Sequence, residues 1–184
     1  MALILLRHTR PEGAEGLCYG RSDLPLAACF PAEAARLARE LPPFGSVFSS
    51  PLSRCRRLAE VMAQARGVPL ALDQRLIEMD FGTWEGQRWE AIARAELDAW
   101  AADLEGARPH GGESVATLAR RAREGLRAAQ AATPDAAQGA ALVVTHAGVI
   151  KAALAARDGL RGWRTEIGFG AWLELGSGWE RSDG

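Results

Sequence analysis

The chain has 184 residues, 48% of them hydrophobic and 24% charged, a size and balance that suit one globular domain with a core of its own. A formal net charge of −1 excludes a global field for nucleic acid or for an anionic membrane surface, so any anion site must be local. The 22 basic residues are 21 arginines and a single lysine, Lys151, and arginine is the side chain best suited to bidentate oxyanion contacts.

Six residues precede the first charge at Arg7, too few for a signal core or a membrane span, and a cytoplasmic location is expected. Cys18, Cys29 and Cys55 make an odd count without a CxxC or a Cys/His spacing. Reduced thiols are therefore expected, with no disulfide framework and no metal site.

Residues 2–6 form a short apolar run without alternation, which predicts a strand buried on both faces. Residues 11–26, rich in Gly and Pro, predict a long loop of the kind that carries function. A helix is predicted over 31–41, opened by Pro31 and stopped by Pro42-Pro43. Ser46-Val47-Phe48-Ser49 reads as a second strand, and Ser50-Pro51 as the N-cap and first residue of a helix that runs to Arg66 and ends at Gly67. A third strand is predicted over 68–72, and residues 80–86 are irregular. Helices are predicted over 89–104 and 115–132, separated by Pro109-His110-Gly111-Gly112. Residues 140–145 give another strongly apolar strand, 149–157 a helix, and Trp172-Leu173-Glu174-Leu175 a last strand at a sheet edge. Strands alternating with helices predict a three-layer α/β/α architecture with a mainly parallel central sheet. With no internal repeat or linker, one domain is expected over residues 1–184.

Four segments carry candidate chemistry. Two of the chain's three histidines, His8 and His146, each follow an apolar strand. Ligands bind beyond the carboxyl ends of strands in open α/β sheets, so both imidazoles would point into one crevice. Arg54 falls in the first turns of its helix, against the macrodipole preference, and a bound anion would account for it. Glu78, Asp80 and Glu85 lie within eight residues beside Phe81 and Trp84, a setting that raises a carboxyl pKa and makes a proton donor. Spacing does not decide which acid acts. The small residues after His146 leave backbone N–H groups of the next helix open to an anion. Trp84, Trp89 and Trp100 read first as core residues; with residues 104–114 they would shape the far side of the site.

In this order the four segments resemble the histidine phosphatase superfamily, the phosphoglycerate-mutase-like fold, from Leu3 to about Lys151. Leu6-Arg7-His8-Thr9 followed by Gly16-Leu17-Cys18-Tyr19-Gly20-Arg21-Ser22-Asp23-Leu24-Pro25-Leu26 is similar to its α-ribazole phosphatase branch, which acts late in cobalamin nucleotide-loop assembly. The resemblance implies His8 as nucleophile, Arg7 and Arg54 as phosphate-binding cations, Glu78 as proton donor and His146 as a second phosphate-contacting imidazole. It also implies substrate contacts at Thr9, Ser22 and Ala147, and neither metal nor cofactor. Thr9 stands where most members have Gly, Ala147 replaces a common Gly, and Leu58 a common Thr. The loop lacks the Asn that many members place after the nucleophile, and Ser22 is the candidate to replace it. Glu113 and Ser114 are read as capping the helix that starts at Val115.

The implied activity is a phosphomonoester hydrolase acting through a phosphohistidine, with α-ribazole 5'-phosphate as substrate. A broad sugar-phosphate phosphatase, a phosphoglycerate mutase and a non-catalytic phosphate-binding module are the alternatives. The expected partner is a small phosphorylated metabolite, not nucleic acid or membrane, with a second copy in a homodimer as the further option.

Overall fold

The computed structural model describes residues 2–133 and 139–180; the remainder of the expected 1–184 domain lies outside the described residues. Five strands, β1 (Leu3–Arg7), β2 (Phe44–Ser49), β3 (Leu70–Leu72), β4 (Ala140–Thr145) and β5 (Trp172–Leu175), form one sheet in the order β3-β2-β4-β1-β5. β1 to β4 pair in parallel, and β5 closes one edge antiparallel to β1. The mainly parallel α/β sheet expected from the sequence is the one observed.

The unbroken apolar runs of β1 and β4 have a direct explanation. Leu3 and Leu5 of β1, with Ala141 and Val143 of β4, pack on one face against α4 (Val115–Ala131) and α5 (Ala147–Asp158). Ile4 and Leu6, with Leu142 and Val144, pack on the other against α1 (Phe30–Glu40) and α2 (Ser53–Arg66). Alternate side chains point to opposite faces, so a strand covered on both sides needs apolar residues throughout. Burying each Leu or Ile in these layers contributes roughly 1.5–3 kcal/mol. Both His8 and His146 follow the carboxyl ends of central, adjacent strands as a result.

Three expectations change. The predicted helix over 89–104 is a single turn at Trp89–Ala91 followed by α3 (Arg94–Ala102), because Ile92 turns inward to a cluster with Cys18 and Trp84. Ser50 is not the N-cap of α2: Leu52 occupies that place without a side-chain bond, and Asp23 caps from outside by accepting from Ser53 N at 3.0 Å and Ser53 Oγ at 2.9 Å. A short helix, α6 (Leu160–Arg164), follows α5 where none was predicted. No helix among the described residues is long and apolar enough to cross a membrane.

Candidate active site

The carboxyl end of β1 delivers Arg7, His8 and Thr9. His8 Nδ1 lies 2.7 Å from the Thr9 carbonyl oxygen. A carbonyl can only accept, so Nδ1 carries the proton and Nε2 keeps its lone pair. Burial holds the His8 pKa well below the ordinary 6.5, and repulsion from Arg54 and Arg7 adds to this, against a smaller raising effect of the Thr9 bond. Position 8 therefore holds a neutral imidazole of fixed tautomer.

His146, at the end of β4, is fully buried 5.1 Å from His8 between ring centroids. Burial, then His8 and the nearby arginines, hold its pKa well below 6.5 as well. Its Nε2 is 2.8 Å from Ser50 Oγ, the hydroxyl that the sequence suggested as a helix cap. The Cys55 thiol lies 3.4 Å from the same nitrogen, and burial pushes its pKa up, so it stays protonated.

Arg54 is completely buried. Its Nη1 donates to the Ser22 carbonyl at 2.7 Å and its Nη2 to the Gly20 carbonyl at 2.6 Å. The acid at the N-terminus of α2 is Asp23, whose carboxylate lies 3.8 Å from Arg54 Nη1. The departure from the macrodipole preference thus has a partner within the chain. Arg7 is held from the other end of the sequence. Its Nη1 donates to the Ile167 carbonyl and its guanidinium stacks 3.9 Å above the Phe169 ring.

Of the three acids, only Glu78 lines the cleft that His8 opens into. Its Oε1 accepts from Met79 N at 2.9 Å and its Oε2 from Gly148 N at 3.0 Å. The small residues after His146 therefore serve differently from expected: the Gly148 N–H holds Glu78, and a Cβ there would lie 2.2 Å from Glu78 Oε1. Asp80 turns its carboxylate onto Gly82 N at 2.8 Å. Arg121 of α4 fixes the backbone beneath Glu78, donating to the carbonyls of Arg75, Ile77 and Glu78 while gripping both oxygens of Glu113. Ser114 caps α4 as expected, through Thr117 N, whereas Glu113 is committed to Arg121.

The structure thus gathers Arg7, His8, Arg54, Glu78 and His146 at one end of the sheet. Ala147 lines the cleft. Thr9 is buried, its carbonyl on His8 and its hydroxyl without a partner among the described residues. Ser22 faces away: its hydroxyl donates to Glu85 at 2.5 Å and its carbonyl holds Arg54. The cleft, about 560 Å³, is walled by Tyr19, Phe81, Trp89, Trp100, Trp163 and Phe169. Trp84 sits in the core behind it, its indole N–H on Glu96 at 2.6 Å. Ser50, Arg121 and Phe169 escaped the sequence reading. Ser50 alone carried a signal, a strand-end hydroxyl, and it read as a cap.

The five-stranded, mainly parallel sheet and the six helices among the described residues are the architecture of the phosphoglycerate-mutase-like fold. Residues 3–175 match the histidine phosphatase superfamily (branch 1), and the chain belongs to that family, whose members are phosphatases or mutases working through a phosphohistidine. The chain is 31% identical over 171 residues to a probable phosphoglycerate mutase, GpmB, of Salmonella paratyphi C (strain RKS4594), covering 89% of this chain and 77% of that protein. The solved mycobacterial glucosyl-3-phosphoglycerate phosphatase Rv2419c superposes with a TM-score of 0.80 at 25% identity, covering 94% of this chain and 88% of its own. TTHB049 from Thermus thermophilus gives a TM-score of 0.72 at 32% identity, covering 95% of this chain and 93% of its own.

Proposed function

We propose that the protein hydrolyses phosphomonoesters through a phosphohistidine on His8. One observation carries this reading: Nδ1 of His8 is tied to the Thr9 carbonyl, which leaves Nε2 as a neutral nucleophile in the cleft that also holds Glu78. Nε2 attacks phosphorus in line, the P–N bond forms as the P–O ester bond breaks, and Glu78 in its acid form protonates the departing alkoxide. Glu78, now ionised, takes a proton from water; the water oxygen attacks phosphorus, His8 leaves, and inorganic phosphate is released. Arg7, Arg54 and His146 offset charge on the equatorial oxygens, which is the main electrostatic contribution in such transfers. No metal takes part, and EDTA should leave the rate unchanged. A mycobacterial relative solved in complex with VO3, at a TM-score of 0.82, supports oxyanion binding by this fold.

The substrate we favour is α-ribazole 5'-phosphate. The Cys18-Tyr19-Gly20 and Asp23-Leu24-Pro25-Leu26 run supports it, and the aromatic walls suit the flat base of its nucleoside leaving group. Incubation with radiolabelled substrate and a quench in alkaline detergent tests the chemistry. The wild type should retain alkali-stable, acid-labile label and His8→Ala none; label retained by His8→Ala at the wild-type rate would sink the reading. Comparing kcat/KM for α-ribazole 5'-phosphate with small phosphate monoesters tests the substrate, and equal values across the panel would count against it.

Lys151 favours a second substrate reading. It follows Ala147 by four residues on α5 and so shares its cleft-facing side, and its ammonium has no described ion-pair or hydrogen-bond partner. It lines the same cleft as Glu78 and would meet there a carboxylate on the leaving group. Phosphoglycerate carries such a carboxylate, and two relatives are named for phosphoglycerate chemistry.

A further inference from the structure

Glu85 lies outside the cleft and has no part in the steps above, yet its carboxylate is the most heavily bonded acid among the described residues. It accepts from three consecutive backbone N–H groups: Gly20 at 2.9 and 3.0 Å, one to each oxygen, Arg21 at 2.9 Å and Ser22 at 3.1 Å. Ser22 Oγ adds a bond of 2.5 Å and Phe81 N one of 3.2 Å. Successive N–H groups wrapped around one anion form a nest, a concavity suited to negative charge.

The same loop has a second face. The carbonyls of Gly20 and Ser22 point the other way and receive the two terminal nitrogens of Arg54. Residue 20 must be glycine for this, since a Cβ there would lie 1.7 Å from the Met79 carbonyl oxygen. Two of the five guanidinium N–H groups are thereby fixed, and Nε has no partner among the described residues. A buried guanidinium without such a guide would lose its aim, because four side-chain torsions connect it to α2.

From this two-faced loop we infer that Glu85 is a positioning residue: its charge organises residues 20–22, whose carbonyls orient Arg54 toward the transferring phosphoryl group. Glu85 does not line the cleft that His8 opens into. The inference rests on the reading of Arg54 as a phosphate-binding cation, and its failure is distinguishable from failure of that reading.

The experiment is a double-mutant cycle on the full chain, with kcat/KM for p-nitrophenyl phosphate and the inhibition constant of orthovanadate as readouts. Glu85→Gln keeps the volume and removes the charge; it should lower kcat/KM and weaken orthovanadate by about ten- to a hundredfold. On an Arg54→Ala background the same substitution should cost less than about twofold, since its effect passes through Arg54. Ser22→Ala, which removes only one of the bonds to Glu85, should show a smaller loss that also vanishes without Arg54, and it serves if Glu85→Gln does not fold. A loss of equal size on both backgrounds would mean that Glu85 only stabilises the fold and would overturn the inference. So would a folded Glu85→Gln with wild-type kinetics beside an impaired Arg54→Ala. Wild-type kinetics in Arg54→Ala itself would remove the phosphate-binding reading and this one with it.

Discussion

His8 and His146 lie edge to face, ring centroids 5.1 Å apart with planes at 65°, so neither can gain a proton without setting a cation against the other. Both are buried among arginines and both have pKa values well below 6.5. A pair of neutral imidazoles is thus the resting state of the site, one with a free lone pair on Nε2 and the other bonded to Ser50.

The first prediction concerns pH. Because folded-state protonation is suppressed, kcat/KM should show no loss from imidazole titration on crossing the ordinary value of 6.5, once ionisation of the substrate is allowed for. Stability should behave oppositely. The unfolded chain takes up protons that the folded site refuses, so stability is full above 6.5 and declines below it until the folded pKa values are reached. With two imidazoles the slope reaches about 2.7 kcal/mol per pH unit. Urea midpoints followed from about pH 7 to about pH 5.5 check this, and a flat series would contradict it.

A second prediction tests how Glu78 is seated. Gly148→Ala places a methyl group 2.2 Å from Glu78 Oε1 and must push the carboxylate out of its place beside α5. Alanine favours a helix, so thermal stability should change little, while kcat falls by about a hundredfold. Glu78→Gln should lose about 10² to 10⁴ in kcat for alkyl esters and less for p-nitrophenyl phosphate, whose leaving group needs no proton. Steady-state kinetics on both esters give the answer; a Gly148→Ala enzyme as fast as wild type would show that Glu78 is not needed at that spot.

Lys151→Met separates the two substrate readings. If the lysine pairs with a carboxylate, kcat/KM for 3-phosphoglycerate should fall by about tenfold or more, with p-nitrophenyl phosphate unaffected. A uniform fall across both esters would instead put the ammonium on the phosphoryl group.

Arg121 links packing to chemistry. Its side chain is only 12% exposed and satisfies Glu113 together with three carbonyls below Glu78. Arg121→Ala leaves these groups unpaired, at a cost of about 3 kcal/mol, or roughly 6–12 °C in Tm for a chain of this size. Activity measured well below Tm should also drop, by about tenfold, because the segment that carries Glu78 loosens. Calorimetry and kinetics on the same preparation test both parts.

How much of this was readable beforehand depended on the range of the interaction. β1 and β4 announced themselves because strands covered on both faces must be apolar at every position, and His8 and His146 followed as the first residues beyond them. Choosing Glu78 among three acids needed the resemblance, since only the fold brings Gly148 N against its carboxylate. Ser50-Pro51 carries the local pattern of a helix start, yet Asp23 takes over the capping from a loop thirty residues away and frees Ser50 for His146. The break at Ile92 was equally hidden: helical propensity runs on through it, and burial against Trp84 and Cys18 wins. The pairing of Arg7 with Ile167 and Phe169 leaves no trace in either segment alone.

The place of β1 in the sheet has a consequence for biosynthesis. Leu3 pairs with Ala141 on one side and with Leu175 on the other, so the strand that carries the nucleophile finds both neighbours only once residue 175 has been made. Until then His8 has neither the wall that buries it nor the Phe169 segment that anchors Arg7. Competence to accept a phosphoryl group therefore waits for that segment, and a chain cut before residue 169 should not trap phosphate on a half-built imidazole.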